Sequence, residues 1–341
     1  MPILTNSNGS VRADSKLSGT WQAEMKDAIR DLGTLVDRLN LPAEFKQEVS
    51  AIRDFPVFVP ASYLNRIQKG SPTDPLLLQV LPVADEDQFN PGFTADPLLE
   101  RSSTLTPGLL QKYRRRALMI VAGACAIHCR YCFRRHFPYQ ESPKSVAHWE
   151  PAFAELESDL KINEIILSGG DPLTLVDAKL GQLVNRLEQI TNLKRLRIHT
   201  RLPVVIPNRI TDELVNILSQ TGLQSIVVIH VNHAQELDSE VKRRLEQLHD
   251  AGILLLNQSV LLRGINDNEK ALTDLSERLL ECNVLPYYLH QLDPVAGAAH
   301  FQVPIERGMK LIAKLRANAP GYAVPRYVQE IPGELNKTVL A

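Results

Sequence analysis

The chain has 341 residues, 44% of them hydrophobic, and its 38 basic and 39 acidic side chains leave a formal net charge of -1. That length can bury a sizeable core as one large domain or two small ones. The near-neutral balance argues against nucleic acid as the main partner, and no apolar run approaches the length of a membrane span.

The N-terminus, MPILTNSNGSVRAD, has neither a charged nor an apolar leader region, so a cytoplasmic location is expected. Trp21 to Leu39 carries Met25, Ile29, Leu32, Leu35, Val36 and Leu39 at helical spacing, which predicts a helix ended by Pro42. Phe55-Pro56 through Pro60 reads as a break. The proline- and acid-rich run from Ser71 to Pro97 reads as an ordered extended crossing, because Leu76 to Leu81 need burial. Residues 1–104 are therefore expected to form an N-terminal, mainly helical and extended cap region, and residues 105–341 a second unit.

Beyond Leu105, short β-branched runs alternate with longer amphipathic ones. Strands are predicted at Ala117–Ala122, Glu164–Leu167, Leu196–His199, Ser225–Val231, Ile253–Ser259 and Tyr287–Gln291. Helices are predicted at Lys144–Leu160, Val176–Ile190, Thr211–Gln220, Gln235–Ala251, Asp267–Glu281 and Ile305–Ala317. Nearly all-apolar strands separated by helices imply an α/β fold with a parallel sheet covered on both faces. Six such units are too few for an eightfold barrel and predict a partial (βα)6 one, with its chemistry at the C-terminal strand ends.

The first strand runs into GACAIHCRYCFRRHFPY, residues 123–139, which places Cys125, Cys129 and Cys132 together; Cys282 lies far downstream and reads as a small buried hydrophobe. Three thiols in one short loop suit a soft metal centre, whereas an odd number without secretory context disfavours disulfides. His128 or His136 could complete a Cys3His zinc site, but structural zinc sites usually take their ligands as two separated pairs. A [4Fe–4S] cluster with one open iron fits the spacing better, and zinc stays as the alternative.

The other strands end in Ser168-Gly169-Gly170-Asp171-Pro172, His199-Thr200-Arg201, His230-Val231-Asn232-His233, Asn257-Gln258-Ser259 and His290-Gln291-Leu292-Asp293. Each alone has an ordinary explanation, His230 as a satisfied core histidine and Gly169-Gly170 as a tight turn. All of them converging on one mouth predict a site. Beside a metal loop, the paired glycines would let backbone approach a ligand and offer it N–H groups.

On the segments CAIHCRYCFRR, ILSGGDPL, TRLPVVIPNRIT, HVNH, NQSVLLRGIND and PGELNK, the chain from about Thr104 onward resembles the lysine 2,3-aminomutase family, radical S-adenosylmethionine (SAM) enzymes that also use pyridoxal phosphate. The resemblance implies a partial (βα)6 radical SAM barrel with a [4Fe–4S] cluster on Cys125, Cys129 and Cys132. It implies S-adenosyl-L-methionine against Gly169, Gly170 and Asp171, with His230 and Gln258 beside it. It makes Lys337, which by itself would read as a solvated tail residue, the Schiff-base lysine of pyridoxal 5'-phosphate, with Tyr113 and Arg116 anchoring the phosphate. Arg134 would take a substrate α-carboxylate, and Asp293 with Glu330 a distal ammonium. This chain departs from the family in having Glu330 for an aspartate, and Glu334-Leu335-Asn336 for three glycines before Lys337.

The activity so implied is isomerisation of L-lysine to (R)-β-lysine by radical 1,2-amino migration. CRYCFRRHFPY, together with a chain end four residues after Lys337, resembles the branch that supplies β-lysine for elongation factor P through a separate ligase. The alternatives are a free-standing lysine or glutamate 2,3-aminomutase, with Asp293 counting against glutamate, and a non-enzymatic zinc-stabilised module offering its basic RYCFRRH loop to RNA. The expected partners are a small-molecule substrate, L-lysine, and a functional link to elongation factor P and its ligase, with no nucleic acid and no membrane. The sequence sets no oligomeric state.

Overall fold

The computed structural model describes residues 20–46, 55–143 and 145–341. Its centre is a sheet whose strands lie side by side in chain order. β3 (Arg116–Ala122), β4 (Glu164–Gly169), β5 (Arg195–Thr200), β6 (Gln224–His230), β7 (Leu254–Val260) and β8 (Leu285–His290) run parallel. They match the six strands expected from sequence to within one or two residues at nearly every end. Both faces are covered, so β4 is buried along its whole length.

The sheet extends at both edges. β1 (Thr104–Thr106) and β2 (Leu109–Leu110) join β3 antiparallel, while β9 (Arg326–Gln329) adds parallel to β8 and carries β10 (Thr338–Val339) antiparallel. These additions are only two to four residues long. That is too short for alternation to register in the sequence, and their pairing is decided by the strands beside them. The order begins at β1 and ends at β10 without closing, which makes the barrel partial.

The covering helices begin where side chains can take up their free N–H groups. Thr211 Oγ1 accepts from Leu214 N at 3.0 Å, Asp238 Oδ1 from Val241 N at 2.8 Å, and Asn268 Oδ1 from Ala271 N at 2.9 Å. The helix Asp177–Glu188 buries Leu180, Leu183, Val184 and Leu187, one stripe at helical spacing. Two helices start later than expected. The first runs over Glu150–Ser158 after a 3-10 turn at Val146–Trp149, because Pro151 favours the first helical turn and Trp149 is locked in the core; Lys144 lies outside the described residues. Ser239–Asp250 starts only after its Asp238 cap.

The helix expected over Trp21 to Leu39 is two, Trp21–Lys26 and Leu32–Arg38. Between them Ile29 N donates to Val59 O at 2.8 Å, and Asp31 Oδ1 accepts from Thr34 N at 2.7 Å to start the second helix. Helical spacing survives the break because both pieces bury the same face. Leu76, Leu77, Val80 and Leu81 are buried, as the crossing requires. One apolar cluster runs from Trp21, Leu35 and Leu77 through Ile165 and Leu183 to Cys282, so the N-terminal region packs on the core of the barrel itself.

Candidate active site

A cavity of about 460 Å³ opens at the C-terminal ends of the parallel strands. Its walls include every site residue expected from sequence: Cys125, Cys129, Cys132, Arg134, Tyr113, Arg116, Gly169, Gly170, Asp171, His230, Gln258, Asp293, Glu330 and Lys337. They come from opposite ends of the chain and meet here.

The cysteine loop is held from outside the barrel. Arg130, fully buried, donates to both oxygens of Glu86 at 2.8 and 2.6 Å and to Phe55 O at 2.6 Å. The two histidines that could serve zinc point to carbonyl oxygens instead, His128 Nδ1 2.8 Å from Pro56 O and His136 Nε2 3.1 Å from Ala296 O. Among the described residues, no three His, Cys, Asp or Glu side chains converge as they would around one ion. A mononuclear zinc site needs such convergence; a cubane, whose thiolates each bind a separate iron, does not. Three free thiols lining one cavity therefore fit the cluster. Burial, reinforced by neighbouring thiols, pushes Cys132 up to about 12 and Cys125 well above the usual thiol range, so cluster assembly must release protons.

The paired glycines do a different job from the one expected. A Cβ on Gly169 would lie 2.2 Å from Ala122 O, and one on Gly170 2.3 Å from Ala124 O. The N–H groups of Gly170 and Asp171 are donated to those same carbonyls, at 2.8 and 2.7 Å, rather than offered to a ligand. The Asp171 carboxylate accepts from Thr200 Oγ1, Leu173 N, Arg201 N and Leu202 N at 2.7 to 3.0 Å. The motif thus clamps the cysteine loop to β4 and β5. Beside it, sheet register sets His230 against Gln258. His230 Nε2 lies 2.9 Å from Tyr131 Oη, and burial, aided by Arg201, lowers its pKa to about 3, so it is neutral.

At the other side a chain of alternating charge crosses the cavity wall. Arg134 donates Nε and Nη2 to Glu100 at 2.7 and 2.9 Å and Nη1 to Ser168 Oγ at 2.8 Å. Lys112 Nζ bridges Glu100 Oε1 at 3.1 Å and Glu330 Oε1 at 2.8 Å, and Lys337 Nζ donates to Glu330 Oε2. Glu330 is therefore held by two lysines, and Arg134 keeps only its Nη1 edge off Glu100. Asp293 accepts no side-chain hydrogen bond from the described residues. Burial first, then repulsion from Glu330, raises its pKa to about 7. The Arg116 guanidinium lies 4.6 Å from the Tyr113 ring centre, and Tyr113 Oη and His199 Nε2 are buried without partners.

Glu100 and Lys112 line this cavity and were not singled out from sequence, nor was Glu236, which joins it only through Arg201. Arg201 was legible as the last residue of a polar strand end. Glu100 carries no such signal: its loop has no periodicity, and its partner is 34 residues away. Glu100→Ala should cost ~3–5 kcal/mol by stranding buried Arg134. Chemical denaturation should show most of that recovered in Glu100→Leu/Arg134→Met. Burial opposes Glu100's charge, but Arg134 and Lys112 outweigh it and hold its pKa at about 2. A depressed carboxylate stabilises above its unfolded pKa of ~4.3, so this contribution should be complete near neutrality and vanish as pH falls toward 2.

An open parallel βα barrel with three thiols behind its first strand and a glycine clamp at its second is the arrangement of a radical SAM enzyme, and residues 119–275 match the Radical SAM superfamily. The superfamily brings a [4Fe–4S] cluster and S-adenosyl-L-methionine. The chain is 46% identical to the L-lysine 2,3-aminomutase of Escherichia coli (strain K12), over 94% of each chain, and 45% identical to that of Haemophilus influenzae, over 94% of this chain and 95% of the relative. Identity to the L-lysine 2,3-aminomutase of Clostridium subterminale is 33%, over 93% of this chain and 77% of that one. It belongs to the lysine 2,3-aminomutase family and is an isomerase of that kind. A radical SAM methyltransferase from Sphaerobacter thermophilus aligns over 64% of this chain and 68% of its own, at 17% identity and a TM-score of 0.46.

Proposed function

We propose that the protein converts L-lysine to (R)-β-lysine, with pyridoxal 5'-phosphate on Lys337. The observation that carries this reading is one cavity lined by three thiols, a lysine amine, a guanidinium and a carboxylate with no side-chain partner. The names of the relatives support the substrate, and the orphaned Tyr113 hydroxyl beside Arg116 fits an anionic cofactor group. When bound, the cluster and S-adenosylmethionine supply a carbon-centred radical, and pyridoxal phosphate supplies the electron sink for the migrating nitrogen.

The chain's own residues hold the atoms in place. Arg134 presents Nη1, now on Ser168, to the α-carboxylate while Glu100 fixes the other edge of its guanidinium. Asp293 takes the distal ammonium, which favours its charged form and offsets the burial that raises its pKa. Glu330 stays ionised: burial opposes its charge, but Lys337 and Lys112 outweigh it and hold its pKa at about 2. It keeps Lys337 Nζ in place at the cavity wall while Lys112 balances the remaining charge. Gly169, Gly170, Asp171, His230 and Gln258 shape the wall assigned to S-adenosylmethionine. Residues 1–104 act as a cap region, whose Glu86 anchors the cysteine loop through Arg130.

The test is anaerobic turnover of L-lysine, L-glutamate, L-arginine and L-ornithine, with the β-amino acid quantified by mass spectrometry. L-lysine should be preferred, and Asp293→Asn should lower its turnover by roughly two to nearly four orders of magnitude, the ~3–5 kcal/mol of a broken buried charge pair. Protonation of Asp293 competes with binding of a cation, so kcat/KM should fall below about pH 7, a limb the variant should lack. A preference for glutamate, or an equally active Asn variant, overturns the reading. We further propose a cytoplasmic enzyme whose product serves elongation factor P. The resemblance of the loop CRYCFRRHFPY supports this. Intact-mass analysis of elongation factor P from cells lacking this gene should show the β-lysyl group missing.

A further inference from the structure

Arg201 follows β5 and is 7% exposed. Its Nη1 lies 2.6 Å from Cys129 Sγ and 2.8 Å from Tyr131 Oη, and its Nη2 donates to Gln79 Oε1 at 2.6 Å and to Glu236 Oε2 at 2.8 Å. Its backbone N–H is fixed by Asp171 Oδ2 at 2.7 Å. The counter-ion Glu236 is fully buried and is itself pinned, its Oε1 accepting from Asn232 N, His233 N and Gln79 Nε2 at 2.9 to 3.2 Å. Glu236 and Gln79 take up only Nη2, while Nη1 reaches the sulfur and Tyr131 Oη, and Nε is buried without a partner.

A guanidinium keeps its proton under all ordinary conditions, so a fixed positive charge with an N–H donor rests on one of the three thiols, where screening is weak. Charge and hydrogen bonds at cysteine sulfurs are the levers by which a protein sets the potential of an iron–sulfur cluster. We propose that Arg201, oriented by Glu236 and by Gln79 of the N-terminal region, is a positioning residue that raises the reduction potential of the cluster through Cys129. This rests on Cys129 being a cluster ligand. The couple concerned is the one-electron reduction of the cluster by a low-potential one-electron donor; no bond to Arg201 forms or breaks. The donor set fits the role, because the added electron puts negative charge on the sulfurs and the cation stabilises the reduced state.

The experiment is an anaerobic redox titration of the reconstituted protein, followed by electron paramagnetic resonance, with iron and sulfide measured for each variant. Arg201→Gln, which removes the cation, should move the midpoint to more negative potential. Glu236→Gln, which removes the opposing anion but keeps an acceptor, should move it to more positive potential, and Arg201→Lys should stay between wild type and Arg201→Gln. Opposite shifts at full iron content are a signature that loosened packing does not produce. Unchanged midpoints, or shifts of the same sign in the two charge-removing variants, overturn the proposal. Should Arg201→Gln not assemble a cluster, Glu236→Gln decides alone, and the absence of a positive shift overturns it. A wild-type protein with no [4Fe–4S] signal would instead refute the ligand assignment.

Discussion

Replacing any one of Cys125, Cys129 and Cys132 by alanine is expected to bring cluster iron close to zero and to abolish turnover, while Cys282→Ala keeps the full iron content. The three loop thiols line the cavity at the end of β3, and a site-differentiated cubane has no spare protein ligand to replace a lost one. Cys282 is exposed to neither solvent nor cavity: it is fully buried in the apolar cluster that also holds Leu279 and Val284, and its truncation should cost only about 1 kcal/mol of packing. Iron and sulfide analysis after anaerobic reconstitution checks both halves. Full clusters in any of the three loop variants would refute the ligand assignment, and iron loss in Cys282→Ala would require a fourth participant.

Lys337→Ala is expected to lower turnover at least about a thousandfold and to remove pyridoxal absorbance, leaving the iron–sulfur spectrum intact. The covalent anchor of one cofactor, Lys337, lies about 200 residues from the three cluster thiols, so it can be lost without the cluster. Lys337 reaches the cavity from the turn between β9 and β10. Gly333 alone takes a left-handed φ there, +87°, and Glu334 and Leu335 are exposed, so the missing glycines of this segment leave the lysine's position intact. Borohydride reduction with peptide mapping should put the pyridoxyl label on Lys337. A label on Lys314 would contradict the assignment; that side chain is 63% exposed on an outer helix and pairs with Glu269. Glu330 retains Lys112 in the variant, so the protein should remain folded.

Local periodicity and motif spacing were enough to place the parallel strands, most helices, the thiol triad and the cavity-facing strand ends. Buried parallel strands must be apolar throughout, and chemistry at their ends must interrupt that pattern, so both leave a mark in a single stretch of chain. Lys337 was legible only through a resemblance, because one lysine near a turn has no local signature. The three-dimensional structure alone decided the short edge strands, the break at Ile29, and the use of the Gly170 and Asp171 N–H groups within the backbone. It alone also decided the pairing of Arg134 with Glu100, of Glu330 with Lys112 and Lys337, and of Arg201 with Cys129. Apart from the antiparallel edge-strand pairings and Glu330 with Lys337, these contacts join residues tens to hundreds of positions apart. Their cause is the cost of burying a charge or an N–H without a partner, which is set by what folding brings alongside and not by neighbours in the chain.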